Sequence, residues 1–282
     1  MSDLCFITTC RGRLANLKQS LPTFAAQSGT SCVVVDYDCP EGTATWVEAS
    51  FPRVKVVRAT NRPRFELSRA RNLGAEVADA PWLCFIDADI CLAPHFSSVV
   101  LPLLEPGNYY RTPEPRPTDL WGQCICHREH FQRIEGYDEV LQGWGGDDGD
   151  FYRRLEMLGA RYRTFPSELL YFLPHSNASR VEHYDLKDQW LNATANRIYC
   201  HIKWDLMKLK QRNLPLETRA GMYEKLRHQI LAAHADGEPL EMSIPVYRED
   251  TWCCGPLDAR IVYRLPQPRG DSKEPTDEPS NG

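Results

Sequence analysis

Hydrophobic positions in the first hundred residues follow two alternating periods. Leu4–Thr9, Cys32–Val35, Val54–Val57 and Trp82–Ile86 are short apolar runs of strand length. Between them, Leu14, Leu17, Leu21 and Phe24 recur at helical spacing within Leu14–Phe24, and Ala44–Ala49 and Leu67–Val77 read as two further helices. Four strands separated by three helices predict repeated βαβ units, hence an α/β fold with a mostly parallel central sheet and flanking helices. Such sheets bind ligands beyond the carboxyl ends of their strands. The polar residues there, Arg11, Asp36, Asp38, Asp87 and Asp89, are therefore the first site candidates.

From about Leu101 the rhythm changes. Residues 105–118 contain Pro106, Pro113, Pro115 and Pro117, which predicts a loop without regular structure that crosses over the site. Leu120–His127 reads as a strand. Asp147–Leu158 reads as a helix with acids in its first turn and Gly159 as its C-cap. Tyr184–Leu209 and Leu216–Ala233 predict two more helices. The first carries Trp190, Trp204, Lys203, Lys208 and Lys210, and is expected to close the core with an apolar face while its lysines stay solvated. Peripheral membrane contact is the alternative for that helix. Residues 265–282 are rich in Pro and charge, and predict a disordered tail.

Composition narrows the classes. The chain has 282 residues, 42% hydrophobic and 25% charged, enough for a substantial core. A formal charge of −5 excludes nucleic-acid binding through bulk charge. No apolar run has the length of a membrane span, and the start at Met1-Ser2-Asp3-Leu4-Cys5 lacks the pattern of a signal peptide, so a cytoplasmic location is expected. The 11 cysteines include no CxxC pair; Cys124-Ile125-Cys126 with His127, and Cys253-Cys254, are the close groupings. Most are expected to be free thiols packed as small hydrophobes.

Two acidic segments carry chemistry. Phe85-Ile86-Asp87-Ala88-Asp89-Ile90 places two carboxylates at positions i and i+2 after a strand. Hard oxygen ligands of this kind suit Mg²⁺ or Mn²⁺ and, through the metal, a diphosphate; an Asx turn at a solvated strand end fits the same residues. The second segment is Gly143-Trp144-Gly145-Gly146-Asp147-Asp148-Gly149-Asp150. Its glycines allow close backbone approach to a ligand beside an aromatic face, and its acids open a helix whose dipole favours their ionised form. A carboxylate there can act as general base toward a hydroxyl.

These segments, in this order, resemble the GT-A glycosyltransferases. The likeness is to the branch shared by family-2 capsule and chondroitin-type polymerases and the β-1,4-galactosyltransferases. Ile7-Thr8-Thr9-Cys10-Arg11-Gly12-Arg13 with Leu17 and Leu21 resembles the family's first strand and helix. Arg69-Ala70-Arg71-Asn72-Leu73-Gly74 running into Asp87-Ala88-Asp89 resembles the RNxG and DxD pair. Trp144-Gly145-Gly146-Asp147-Asp148 resembles the acceptor-side WGG(E/D)D motif, with Asp147 where Glu is usual. The resemblance covers about residues 4–180. It implies a GT-A catalytic domain over 1–180, with a nucleotide-sugar-binding half (1–104) and an acceptor half (105–180). Residues 181–264 are then a helical C-terminal extension packed on it and ending in a hairpin.

What the resemblance implies for single residues is specific. Asp36 would read the uracil base, with Asp38 as second choice; Asp87 would contact the ribose, and Asp89 would coordinate Mn²⁺ or Mg²⁺. His175 would be a second metal ligand, with His183 as fallback. Asp148 would be the base and Asp147 would hold a sugar, while Asp150 competes with Asp148 for its role. Arg11, Arg69 or Arg71 would bond the diphosphate. Trp144, Gly145 and Gly146 would face the acceptor. Apart from the resemblance, the 105–118 loop with Trp121, Tyr109 and Tyr110 suits two roles equally, framing the acceptor or packing. The implied reaction is metal-dependent, inverting transfer from a UDP-sugar to a hydroxyl acceptor such as a glycan. The alternatives are a degenerate relative that binds a nucleotide-sugar or glycan without turnover, and a metal-dependent nucleotidyltransferase. The intact acidic motifs argue against the first. The second calls for a Gly-rich phosphate loop, which Thr8–Arg13 matches poorly.

Overall fold

The computed structural model describes residues 2–115, 120–174, 184–236, 239–246 and 259–265. The first half follows the predicted alternation: β1 (Leu4–Cys10), α1 (Leu14–Ala25), β2 (Thr30–Tyr37), α2 (Thr43–Ser50), β3 (Lys55–Ala59), α3 (Leu67–Val77) and β4 (Trp82–Phe85). After these come β5 (Ile90–Leu92), α4 (Phe96–Val100), β6 (Asn108–Arg111), β7 (Cys124–His127), α5 (Arg128–Arg133), α6 (Asp147–Met157), β8 (Arg161–Thr164) and β9 (Leu170–Phe172). The last elements along the chain are α7 (Gln189–Lys210), α8 (Leu216–Asp236), β10 (Leu240–Val246) and β11 (Ala259–Leu265).

Seven strands form one sheet in the order β3-β2-β1-β4-β7-β6-β8. β1 to β4 are mutually parallel, β7 runs antiparallel to both β4 and β6, and β8 runs parallel to β6. Strand alternation sends successive side chains to opposite faces, and here both faces are covered. Leu4, Phe6, Cys32, Val34, Trp82 and Cys84 pack with Leu17, Leu21 and Phe24 of α1. Cys5, Ile7, Val33, Val35, Leu83 and Phe85 pack with Ala70 and Ala75 of α3 and Phe151 and Leu155 of α6. Burial on both sides explains why these strands read as continuous apolar runs. A methyl group at Gly74 would stand 2.5 Å from Cγ2 of Ile7, so α3 lies on β1 at a separation that only glycine permits.

The sequence expectation fails within 105–118. Asn108–Arg111 is a strand, buried at all four positions, because Pro106 and Pro113 bracket it and leave its ladder donors intact. Residues 116–119 lie outside the described residues. The nine described cysteines are free thiols, and Cys5, Cys10, Cys32, Cys84, Cys124 and Cys126 sit in the two cores. Cys253 and Cys254 lie outside the described residues, as do positions 266–282 of the expected tail.

The chain divides into two compact units, Met1–Cys200 and His201–Gly282. The first contains the large sheet and the N-terminal turns of α7. The second contains α8 and an antiparallel hairpin in which Leu240 pairs with Leu265, and the Tyr263 hydroxyl donates to Asp205 at 2.7 Å. Among the described residues, no helix is long and apolar enough to cross a membrane.

Candidate active site

Five elements meet at the carboxyl end of β4. Asp87 follows the strand, and Gln123 fixes it twice: the Asp87 amide donates to Gln123 Oε1 at 3.0 Å, and Gln123 Nε2 donates to Asp87 Oδ2 at 3.1 Å. From α3, Arg71 reaches the same point with a side chain only 3% exposed. Its guanidinium donates to Asp87 Oδ1 at 3.1 Å, Asp147 Oδ2 at 3.1 Å and Asp148 Oδ1 at 2.6 Å. Its Cζ lies 4.9 Å from the centroid of the buried Tyr137 ring. Gly122 leaves room for this convergence: a methyl there would stand 2.9 Å from Asp87 Oδ2 and 3.3 Å from Asp148 Oδ2. Asp89 takes a different cation, Arg13, whose Nη1 donates to Oδ2 at 2.6 Å.

Electrostatics follow from this geometry. Burial, and then the charge of Asp148, push Asp147 up to about 7 against the pull of Arg71. Burial also raises Asp148, again opposed by Arg71. Arg71 is held well above its ordinary range by the acids around it, which outweigh its own burial. One cation shared among three carboxylates leaves the group short of positive charge.

The Gly143–Gly146 turn is built for packing as much as for ligand. Gly143, Gly145 and Gly146 all have positive φ, at 76°, 86° and 92°. A side chain on Gly143 would run into Asn192 of α7, and one on Gly146 would stand 2.8 Å from Cβ of Asn196. Asn196 Nδ2 donates to the carbonyls of Gln142 at 3.0 Å and Gly145 at 2.6 Å. The glycines thus let α7 press onto the turn and hold Asp147 and Asp148 at the start of α6, where the helix dipole favours negative charge.

The four carboxylates, Arg13, Arg71 and Gly122 line a cavity of about 380 Å³. Of the residues expected from sequence, Arg11, Arg71, Asp87, Asp89, Trp121, Trp144, Gly145, Gly146, Asp147 and Asp148 all line it. Several others lie elsewhere. Asp36 spends both oxygens on backbone, accepting from the amides of Cys39 at 2.8 Å and Ala44 at 2.7 Å, and it is not on the lining. Asp38 accepts from the Arg62 amide at 2.9 Å. Arg69 pairs with Glu139 at 2.8 Å. Asp150 is fully buried against Arg154 at 2.8 Å and is not on the lining, unlike Asp148. His175 and His183 lie outside the described residues. Tyr109 and Tyr110 are buried in the two cores, so neither faces an acceptor.

Sequence reasoning missed Arg13, Phe65, Tyr184 and Arg197, which also line the cavity. Arg13 could have been found, since it closes the first motif two residues after Arg11. Tyr184 and Arg197 lie beyond the motifs and come to the cavity only through tertiary packing.

The donor set fits a hard divalent cation. Among the described residues no group of three His, Cys, Asp or Glu side chains is placed to hold a metal, and Asp87 and Asp89 offer carboxylates at the cavity wall. Mg²⁺-type ions are commonly held in this way, with water and substrate phosphate completing the shell. On the cavity lining the carboxylates of Asp87, Asp89, Asp147 and Asp148 are matched in number by the guanidiniums of Arg11, Arg13, Arg71 and Arg197, so the fit to such an ion rests on the oxygen donors of Asp87 and Asp89 and not on net charge.

Residues 5–115 match the family described as Glycosyl transferase family 2, and residues 109–177 match the one described as the N-terminal domain of galactosyltransferase. Solved structures share the fold. The mannosyltransferase PcManGT from Pyrobaculum calidifontis, in complex with GDP-Man and Mn²⁺, is 19% identical with a TM-score of 0.54; the match covers 84% of this chain and 76% of that one. S. aureus TarS (residues 1–349), in complex with UDP-GlcNAc, is 11% identical with a TM-score of 0.59, covering 84% of this chain and 74% of that one. The architecture is GT-A, with a mostly parallel sheet between helices and a helical region after it.

Proposed function

Because the chain is a glycosyltransferase of the GT-A fold, we propose that it is a metal-dependent, inverting enzyme transferring a sugar from a UDP-sugar to a hydroxyl acceptor, a glycan. The observation that carries this reading is the convergence of Asp87, Asp147 and Asp148 on Arg71 at the wall of one cavity that also holds Asp89. The complexes of PcManGT and TarS with nucleotide-sugars support it. Free thiols in the two cores support a reducing, cytoplasmic location.

Asp89, with Asp87 beside it, would hold Mn²⁺ or Mg²⁺. When bound, such an ion supplies positive charge for the diphosphate that departs. The chain's own residues do the rest. Asp148 accepts the proton of the acceptor hydroxyl from the side of the sugar opposite the diphosphate, so one in-line displacement inverts the anomeric centre. Arg71 keeps Asp148 and Asp147 oriented and raises the fraction that is ionised. Trp144 and Trp121 offer ring faces to a sugar, and Trp121, 42% exposed, has the room to do so.

The test is a screen of UDP-sugars, with GDP-mannose beside them, in the presence of Mn²⁺, read as hydrolysis and as a rise in Tm. The reading expects one UDP-sugar to stabilise the protein and to turn over. Stabilisation without turnover, even with glycan acceptors, would indicate a binding protein. A response to GDP-mannose alone would overturn the UDP assignment.

A further inference from the structure

Arg11 and Arg13 stand two residues apart at the end of β1 and are held in opposite ways. Arg11 is anchored on backbone, donating to the carbonyls of Tyr37, Arg62 and Pro63. Arg13 directs Nη1 at Asp89 Oδ2, 2.6 Å away, from a side chain 24% exposed, while that of Asp89 is only 10% exposed. The Leu14 amide is capped by Glu41 Oε2 at 2.8 Å, and the Arg13 side chain makes no cap bond. Between the two arginines Gly12 has a φ of 66°, so the backbone turns there.

Asp89 is the residue to which the proposed function gives the metal, and on that reading the present inference rests. We infer that Arg13 is the resident cation of the metal site: it neutralises Asp89 in the free enzyme and must release that carboxylate before a divalent cation can be held. A guanidinium and a divalent ion on one partly buried carboxylate repel each other, and the local dielectric screens that repulsion poorly. The repulsion eases when a diphosphate brings anionic oxygens to which Arg13 can turn. Metal alone therefore binds weakly, and nucleotide strengthens it. By thermodynamic reciprocity, metal strengthens nucleotide binding by the same factor. Arg13 is in this sense a positioning residue that couples the loading of the two ligands.

The coupling can be measured without turnover. Free Mn²⁺ is counted by electron paramagnetic resonance in titrations of the full chain, with and without UDP, for wild type, Arg13→Gln, Arg11→Gln and Asp89→Asn. Arg13→Gln is expected to bind Mn²⁺ alone at least ~10-fold more tightly than wild type, and the gain conferred by UDP to shrink accordingly. Arg11→Gln, which removes the same charge from the same cavity, should stay within about twofold of wild type for Mn²⁺ alone. Asp89→Asn should lose Mn²⁺ in both conditions. Arg13→Met replaces Arg13→Gln if the latter does not fold, with the same expectation. Mn²⁺ affinity in the Arg13 variant no higher than wild type, or raised equally by Arg11→Gln, overturns the inference while leaving the proposed function standing. Failure of wild type to bind Mn²⁺ even with UDP overturns the metal-dependent reading itself.

Discussion

Asp148 and Asp150 stand two positions apart in the first turn of α6, and each meets an arginine. Asp150 pairs with Arg154 at 2.8 Å, in the (i, i+4) geometry of a helix pair, and the charge of buried Asp138 also acts on Arg154. Arg154 also donates to the carbonyls of Ile134 and Gly136. The pair is hydrogen-bonded and closed to solvent, and its cation is matched by acids within the core. Asp148 shares Arg71 with Asp87 and Asp147, at a cavity wall. Three acids share one cation, and burial pushes up the protonation of Asp147 and Asp148 against the pull of Arg71. Balanced charge in the core does structural work. Unbalanced charge at a cavity is a condition that a substrate or metal completes.

Asp148→Asn should open the widest gap between the two sites. Transfer is expected to fall by about 10²–10⁴-fold in kcat, with UDP affinity kept, as initial rates and a UDP titration would show. Asp150→Asn should reverse the pattern. With Arg154 deprived of its hydrogen-bonded carboxylate in the core, stability should drop by roughly 3 kcal/mol in urea unfolding, and the folded fraction should keep its turnover. Equal effects of both variants on kcat per folded molecule would end the distinction.

Asp147→Asn should sharpen the comparison through pH. A carboxyl raised to about 7 in the folded chain binds a proton that the unfolded chain has already released above its ordinary carboxylate range. Folded Asp147 thus carries more protons between about pH 4 and pH 7, and stability should fall as pH rises through that window. The asparagine variant should lose this slope and have the higher Tm at pH 8, while its transfer rate falls. A wild-type Tm that climbs over the same window because of this residue would contradict the cluster's electrostatics. The smallest effect belongs to Asn196→Ala. Freeing the carbonyls of Gln142 and Gly145 loosens the turn before Asp147, and should cost about 1 kcal/mol of stability with a several-fold loss in kcat. Unchanged kcat would show that α7 does not position the acids.

Much of the first unit could be read from pattern. β1 to β4 and α1 to α3 appear close to where apolar periodicity put them, because both faces of the sheet are buried and leave an unbroken hydrophobic signal. β6 was hidden by the prolines around it, and its four buried residues are too few to show a period. The site was legible as a list of acids. What could not be read was how they are shared. Asp36 looked like a ligand-facing acid and instead holds two backbone amides.

Sequence by itself determined the layered sheet, the DxD pair after β4 and the acids opening α6, since each depends on residues close together in the chain. Tertiary structure decided which acids face the cavity. Successive residues of a helix turn by about 100°, so Asp148 and Asp150 point to opposite sides of α6, but which side meets the cavity depends on the docking of that helix. The partners that settle each role come from far away: Arg71 stands 77 residues before Asp148, and Arg13 stands 76 before Asp89. At such separations only the packed fold brings charge to charge, and desolvation there turns a common acid into one with chemistry.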